Sequence, residues 1–89
     1  MRRITIEWDE DAIEHIWGHH VEPEEVEETL QERYIFRRGR GETYYVFGRS
    51  EGGRYLFVVL SHKSSGYYGV VTARDMTPTE QRFFRKKGK

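Results

Sequence analysis

Two kinds of hydrophobic repeat follow each other along the first part of this chain. Residues 3–8 alternate apolar and polar side chains, several of them β-branched, which is typical of a half-exposed strand. Asp9 can cap a helix that Gly18 ends, because its carboxylate accepts the free amide hydrogens of a first helical turn. The apolar residues of this helix recur at helical spacing and predict a buried stripe of Ala12, Ile13, Ile16 and Trp17.

A second short helix is predicted to begin at Pro23, where proline suits the first helical position. Val26 and Leu30 mark its buried side, and its other positions are mostly acidic. The pattern then changes to four aromatic and β-branched runs separated by short, turn-rich segments, which predict an antiparallel meander. These predicted strands are Tyr34–Arg38, Glu42–Arg49, Arg54–His62 and Tyr67–Arg74.

A closing helix is predicted from Thr77, with proline at its first position and Glu80 completing a capping box. Residues 55–60 are continuously apolar, which indicates a central strand covered on both faces. The chain is therefore interpreted as a single domain over residues 1–89. Its predicted architecture is β-α-α-β-β-β-β-α, an α+β fold with a largely antiparallel sheet packed by short helices.

Composition narrows the class of protein. Among the 89 residues, 36% are hydrophobic, 15% are aromatic and 34% are charged, which is too apolar for a disordered chain and too polar for a membrane span. Cysteine is absent, so disulfides and thiolate chemistry are excluded. The N-terminal residues turn acidic before any apolar run of signal-peptide length, so we expect a cytoplasmic protein without a membrane partner.

Charge is divided unevenly although the net charge is zero. Residues 1–32 carry 11 acidic side chains and two arginines, a balance of −9, and residues 33–89 carry a balance of +9. Such a division predicts two faces of opposite potential, the second suited to a polyanion. The alternative is that the two halves neutralise each other within the fold.

Six short motifs, taken in order, resemble those of the BrnT-type toxins of bacterial type II toxin–antitoxin systems, within the RelE/ParE-like group. Trp8-Asp9 is similar to the family's "WD", and His19 with Val21 to its "KHGV" step. Gly48 and residues 53–59 resemble its "G…GRxLxVV" hairpin. The other resemblances are the acidic segment 23–28, the "SAR"-like residues 72–74, and the "ER"-like pair Glu80 and Arg82.

The resemblance implies a RelE/ParE-like fold and a metal-independent endoribonuclease that a cognate antitoxin neutralises. Departures from the family pattern lie at positions that could handle phosphate or protons. The lysine of "KHGV" is Gly18 here and its glycine is His20. Two frequent family arginines are Gly69 and Tyr44, and the aromatic near the end of the chain is Phe84, without a hydroxyl. These departures keep open a second interpretation, a non-catalytic RNA- or protein-binding module.

RNA cleavage without a metal needs a proton acceptor, a cation for the charge that develops on phosphate, and a proton donor. Arg74 is the candidate cation, because it ends a predicted strand before a capped helix and matches the family's "SAR" arginine. Its alternative role is an ion pair with Asp9 or Asp75. His19 and His62 are the candidate acid–base groups, since histidine titrates near neutral pH.

The remaining candidates would bind RNA rather than cleave it. Arginines suit bidentate phosphate contacts, and tyrosine rings on a sheet can stack on bases. The candidate RNA-binding residues are Arg54, Arg82, Arg85, Tyr67 and Tyr68. His15 and His19 are four residues apart, as metal-ligating pairs are, but without cysteine or an HExxH pattern no metal site and no cofactor is predicted.

A third interpretation needs no nucleic acid. The acidic helices of one copy could pair with the basic sheet of another to form a homodimer, whose stability would then depend strongly on salt.

Overall fold

The computed structural model describes residues 3–87, which form three helices and one five-stranded sheet. The predicted α+β class and element order are confirmed. In chain order the elements are β1 (Thr5–Ile6), α1 (Glu10–Trp17), α2 (Pro23–Thr29), β2 (Ile35–Arg38), β3 (Thr43–Arg49), β4 (Tyr55–Ser64), β5 (Tyr67–Asp75) and α3 (Pro78–Lys87). No helix among these residues is both long enough and apolar enough to span a lipid bilayer.

The strands lie in the order β1-β5-β4-β3-β2, so β4 and its neighbours form the centre of the sheet. β2 to β5 pair antiparallel, whereas β1 pairs parallel to β5 through Thr5 and Ile6 only. The predicted first strand, residues 3–8, is therefore too long. The paired residues end at Ile6, although the Glu7 amide still donates to the Tyr68 carbonyl at 2.8 Å. Trp8 then contacts α2, where its indole Nε1 donates to Glu27 Oε2 at 2.8 Å.

The apolar part of β4 is covered on both faces, as its sequence predicted. Alternate residues of β4 enter two separate cores. α1 and α2 cover the face that carries Leu56, Val58 and Leu60, and this first core also holds Ile16, Val21, Val26 and Val46. α3 covers part of the other face, where the second core consists of Phe47, Phe57, Met76 and Phe84.

α1 buries a narrower stripe than its sequence predicts. Ala12 and Ile16 are buried against the sheet, but Ile13 is 37% exposed and Trp17 is 58% exposed. Residues four apart share one face of a helix, and their successors lie about 100° further round it. Because α1 packs mainly against β5, only the face of Ala12 and Ile16 meets the core, and the prediction for Ile13 and Trp17 is wrong.

Two further details place the candidate residues. β4 runs to Ser64, so His62 lies within the strand and not at its end as predicted. The capping box of α3 is present, with the Thr77 amide donating to Glu80 Oε1 at 2.9 Å and the Glu80 amide donating to Thr77 Oγ1 at 3.2 Å. This cap fixes the position of Glu80 beside the end of β5.

Candidate nucleic-acid interface

Arginine side chains lie over aromatic rings on the side of the sheet that α3 covers. Five guanidinium carbons approach four rings, and we call this set the arginine–aromatic surface. Its pairs and centroid distances are Arg33 with Phe84 (5.5 Å), Arg37 with Phe83 (5.4 Å), Arg49 with Tyr55 (4.6 Å), Arg74 with Phe57 (4.4 Å) and Arg85 with Tyr55 (6.0 Å). Guanidinium groups at such distances are attracted to the ring face while keeping charge at the surface.

The alternation of the strands builds this surface. Directly opposite residues of paired strands share one face, and Arg49 lies opposite Tyr55 just as Arg74 lies opposite Phe57. α3 then adds Phe83 and the basic side chains of its last turn, among them Arg85. Every second side chain of a strand points to the same face of the sheet. The arginines and aromatic residues at these strand positions therefore meet on one side of the sheet.

Arg74 is the most organised cation of the surface. Its Nη1 and Nη2 donate to the two carboxylate oxygens of Glu80 at 2.9 and 3.0 Å, and Nη1 also donates to the Asp75 carbonyl at 2.9 Å. The hydrogen bonds to Glu80 raise the pKa of Arg74 and, together with bonds from Thr77, lower that of Glu80. Among the described residues these bonds use three of the five N–H donors of a guanidinium, which leaves two for a phosphate.

The hydrogen bonds of Arg54 do not fit the RNA-binding role predicted for it. Nε and Nη2 donate to the carboxylate of Asp75 at 2.6 and 3.3 Å, and Nη1 donates to Glu25 Oε1 at 2.9 Å. Nη1 and Nη2 also reach the carbonyl oxygens of His20 and His19 at 2.7 and 3.4 Å. Since all five N–H donors are engaged, Arg54 joins the turn after α1 to α2 and β5 and has none left for RNA.

The two predicted acid–base histidines lie far apart. His62 contacts the Tyr68 ring, with centroids 5.3 Å apart, on the face of the sheet that carries the first core. Arg74 lies on the other face, and the five residues from its partner Phe57 to His62 span about 17 Å of strand. His19 follows α1, exposed, near Arg54 rather than His62.

The remaining predicted RNA-binding residues divide between surface and core. Tyr67 is 44% exposed beside β1, whereas Tyr68 is 7% exposed and packs edge-on against Phe36 and Tyr44. Arg82 is exposed on α3, where Nη2 donates to Thr79 Oγ1 at 3.3 Å. Arg85 belongs to the arginine–aromatic surface. Tyr68 is thus a core residue, and the other three stay accessible.

Sequence reasoning missed Arg33, Arg37 and Arg49 as members of this surface. The signal that could have found Arg37 and Arg49 is that alternate, odd-numbered residues of the predicted strands share one face, combined with the +9 balance of residues 33–89. Arg33 precedes the first strand of the meander, so alternation could not have found it. Within residues 3–87 no group of three or more histidine, aspartate or glutamate side chains is arranged to hold a metal ion. A scan against models of known protein families gave no match, and neither did a search of curated proteins.

Proposed function

We propose that this protein is the toxin of a type II toxin–antitoxin system, a cytoplasmic endoribonuclease that needs no metal and that a cognate antitoxin neutralises. The arginine–aromatic surface is the observation that carries this proposal, because it gathers five guanidinium groups that can contact phosphates on one side of the sheet. Single-stranded RNA is bound by positively charged surfaces that follow its backbone. Arg74, held by Glu80 with two donors to spare, is its best-placed cation for the reacting phosphate.

One backbone feature supports the resemblance on which the toxin role rests. His20 stands where the family's "KHGV" step has glycine, and its φ angle is +61°. Glycine adopts this left-handed conformation without cost, whereas other residues seldom do. The turn between α1 and α2 therefore keeps a shape that suits the family's glycine although the residue has changed.

A second candidate function is RNA binding without cleavage. It is favoured by the bidentate contact of Glu80, which neutralises part of the charge of Arg74, and by the position of His62 on the opposite face of the sheet. The same arginine–aromatic surface would bind RNA in both cases. The two functions are distinguished by whether the RNA is cut.

The test is incubation of the purified protein with a long single-stranded RNA in the presence of EDTA. We expect cleavage by the parent protein, and a loss of about 100-fold in rate for Arg74→Ala, the size of effect that removing one charge-stabilising donor produces. Arg38→Ala is the matched control, because Arg38 lies over the Tyr44 ring at 5.8 Å, outside the arginine–aromatic surface. Intact RNA with a folded parent protein would refute cleavage of free RNA.

Binding to the RNA is measured separately with a chemically uncleavable oligonucleotide at several salt concentrations. Phosphate contacts release counterions, so each arginine that contacts a phosphate should contribute about one unit to the slope of log affinity against log salt concentration. Arg37→Ala should lower this slope and Arg38→Ala should not. Equal slopes for all variants would mean that the arginine–aromatic surface is not the RNA face.

A further inference from the structure

Two exposed histidines and a threonine meet where α1 lies against β5. His15 Nε2 is 3.1 Å from Thr72 Oγ1, and the His15 and His19 rings are 5.5 Å apart between centroids and inclined by 66°. His15 lies in the last turn of α1 and His19 in the turn that follows the helix, and their rings are in contact. The His15–Thr72 contact joins residues 57 positions apart in the chain, so it depends on the fold and not on local sequence.

Thr72 connects this pair to the arginine–aromatic surface. It lies opposite Val59, as Arg74 lies opposite Phe57, and Val59 and Phe57 both pack in the second core. Thr72 and Arg74 therefore share a face of the sheet and are separated by about 7 Å along the strand. Through Thr72, His15 thus contacts β5 two positions before Arg74, the cation that the proposed reaction uses.

The contact with Thr72 also allows His15 to act as a base. A neutral imidazole has one N–H and one lone pair, and the partner of one nitrogen fixes the function of the other. When His15 donates its Nε2 hydrogen to the Thr72 hydroxyl oxygen, Nδ1 retains the lone pair and can accept a proton. The hydroxyl oxygen then continues to accept a hydrogen bond from the imidazolium that forms.

We propose that His15 and His19 are the proton-transfer pair of the RNA site, an inference that rests on the ribonuclease function proposed above. Nδ1 of His15 takes the proton of a ribose 2′-hydroxyl, and O2′ forms a bond to phosphorus. The bond from phosphorus to O5′ breaks, and protonated His19 gives its proton to O5′. The products are a 2′,3′-cyclic phosphate and a 5′-hydroxyl, and the open donors of Arg74 stabilise the charge on the phosphate oxygens.

The first experiment measures where RNA binds, independently of cleavage. The probe is a six-nucleotide RNA with 2′-methoxy groups, which cannot be cleaved, added to protein labelled for NMR of histidine Cε1–H and arginine Nε–H. Signals of His15, His19 and Arg74 should shift with one common Kd, and that of His62 should not. Shifts confined to Arg82 and Arg85 would overturn the histidine site, and the absence of any binding would overturn the proposed function itself.

The second experiment assigns the two protons by cleavage in EDTA. His15→Gln and His19→Gln should each slow cleavage by about 100-fold or more, as loss of a general acid or base does. The glutamine in His15→Gln keeps an N–H that can donate to Thr72, which preserves the contact to β5. His62→Gln is the matched control, and its cleavage rate should change by less than about twofold. If His15→Gln and His19→Gln both cleave RNA at the rate of the parent protein, the proposal is wrong.

A substrate with sulfur in place of O5′ separates the two roles, because a thiolate leaves without being protonated. It should restore the rate of His19→Gln and leave His15→Gln slow. Thr72→Val should lower kcat with an unchanged KM, since Thr72 acts by positioning His15. A parent protein that binds the methoxy RNA but cleaves no natural RNA would overturn the proton-transfer roles while the RNA face stands.

Discussion

Arg54 and Arg74 lie at the same end of the sheet, one just before β4 and the other near the end of β5, yet they differ in how their donors are used. Arg54 gives all five N–H donors to partners in the turn after α1, in α2 and in β5. Arg74 uses three donors, on the neighbouring Asp75 and on Glu80 six residues away. One arginine joins distant parts of the chain, and the other is held by local partners with donors remaining.

The difference shows how an arginine that maintains the fold can be told from one that is available to a ligand. Both have raised pKa values, chiefly through hydrogen bonds to a carboxylate, so charge alone does not separate them. The number of N–H donors that are already hydrogen-bonded does separate them. By this criterion Arg54 belongs to the structure and Arg74 to the candidate site.

The largest expected effect is the loss of stability on replacing Arg54. Arg54→Met removes five hydrogen bonds that join three segments, and we expect the free energy of unfolding to fall by about 2–3 kcal/mol. In a domain of this size that lowers Tm by roughly 10–20 °C. Urea and thermal unfolding measure both quantities.

Two matched variants sharpen that measurement. Arg74→Met should cost about 1 kcal/mol, because its partners are local and its ring contact is retained in part by the methionine. Arg82→Met should change stability by less than about 0.5 kcal/mol, since Arg82 is exposed with one hydrogen bond to Thr79. If Arg54→Met were as mild as Arg82→Met, the structural role of Arg54 would be wrong.

A smaller effect is expected from acid, and it should differ between the two clusters. The pKa of Asp75 is lowered from 3.8 mainly by its hydrogen bonds with Arg54, and that of Glu80 from 4.5 mainly by its hydrogen bonds with Arg74. A carboxylate whose pKa is lower in the folded state stabilises the fold above its unfolded pKa. That contribution is lost as pH falls through the folded value. The loss should therefore begin below pH 4.5.

The measurement is the free energy of unfolding from pH 7 to pH 3 for the parent, Glu80→Gln and Asp75→Asn. The Glu80 side chain is 23% exposed and that of Asp75 is 64% exposed, so solvent screens the Asp75 pair more. Glu80→Gln should accordingly flatten the acid slope more than Asp75→Asn does. A steeper residual slope in Glu80→Gln than in Asp75→Asn would contradict this ranking of the two pairs.

The sequence predicts contacts between residues that are close in the chain, and it misses contacts between residues that are far apart in it. The cap of α3 could be predicted from Thr77 and Glu80 because both bonds lie within four residues. The second role of Glu80, binding Arg74, depends on how α3 packs on β5. Likewise the partners Glu25 and Asp75 of Arg54 are 29 and 21 residues away. No spacing in the sequence indicates such pairings.

The candidate site shows the same limit. Arg74 is identified from its place before a capped helix and from its match to the family's "SAR" arginine, which are local signals, whereas the sequence does not indicate whether His62 lies near it. The register puts them on opposite faces. His15 could not be distinguished from a surface histidine, since its partner Thr72 is 57 residues away. The face of the sheet on which a side chain lies depends on strand register, and register is set by packing between strands.

The smallest expected effect concerns the turn that presents a backbone acceptor to Arg54. His20, whose carbonyl accepts from Arg54 Nη1, is the one non-glycine residue within 3–87 that has a positive φ. His20→Gly relieves about 1–2 kcal/mol of left-handed strain and costs about 0.4–1 kcal/mol through the freer unfolded chain, for a net gain of about 0.5 kcal/mol. His19→Gly, at a position without positive φ, should instead destabilise by about 0.5–1 kcal/mol. Urea unfolding of the two variants tests this, and equal losses would mean that the left-handed conformation of His20 carries no strain.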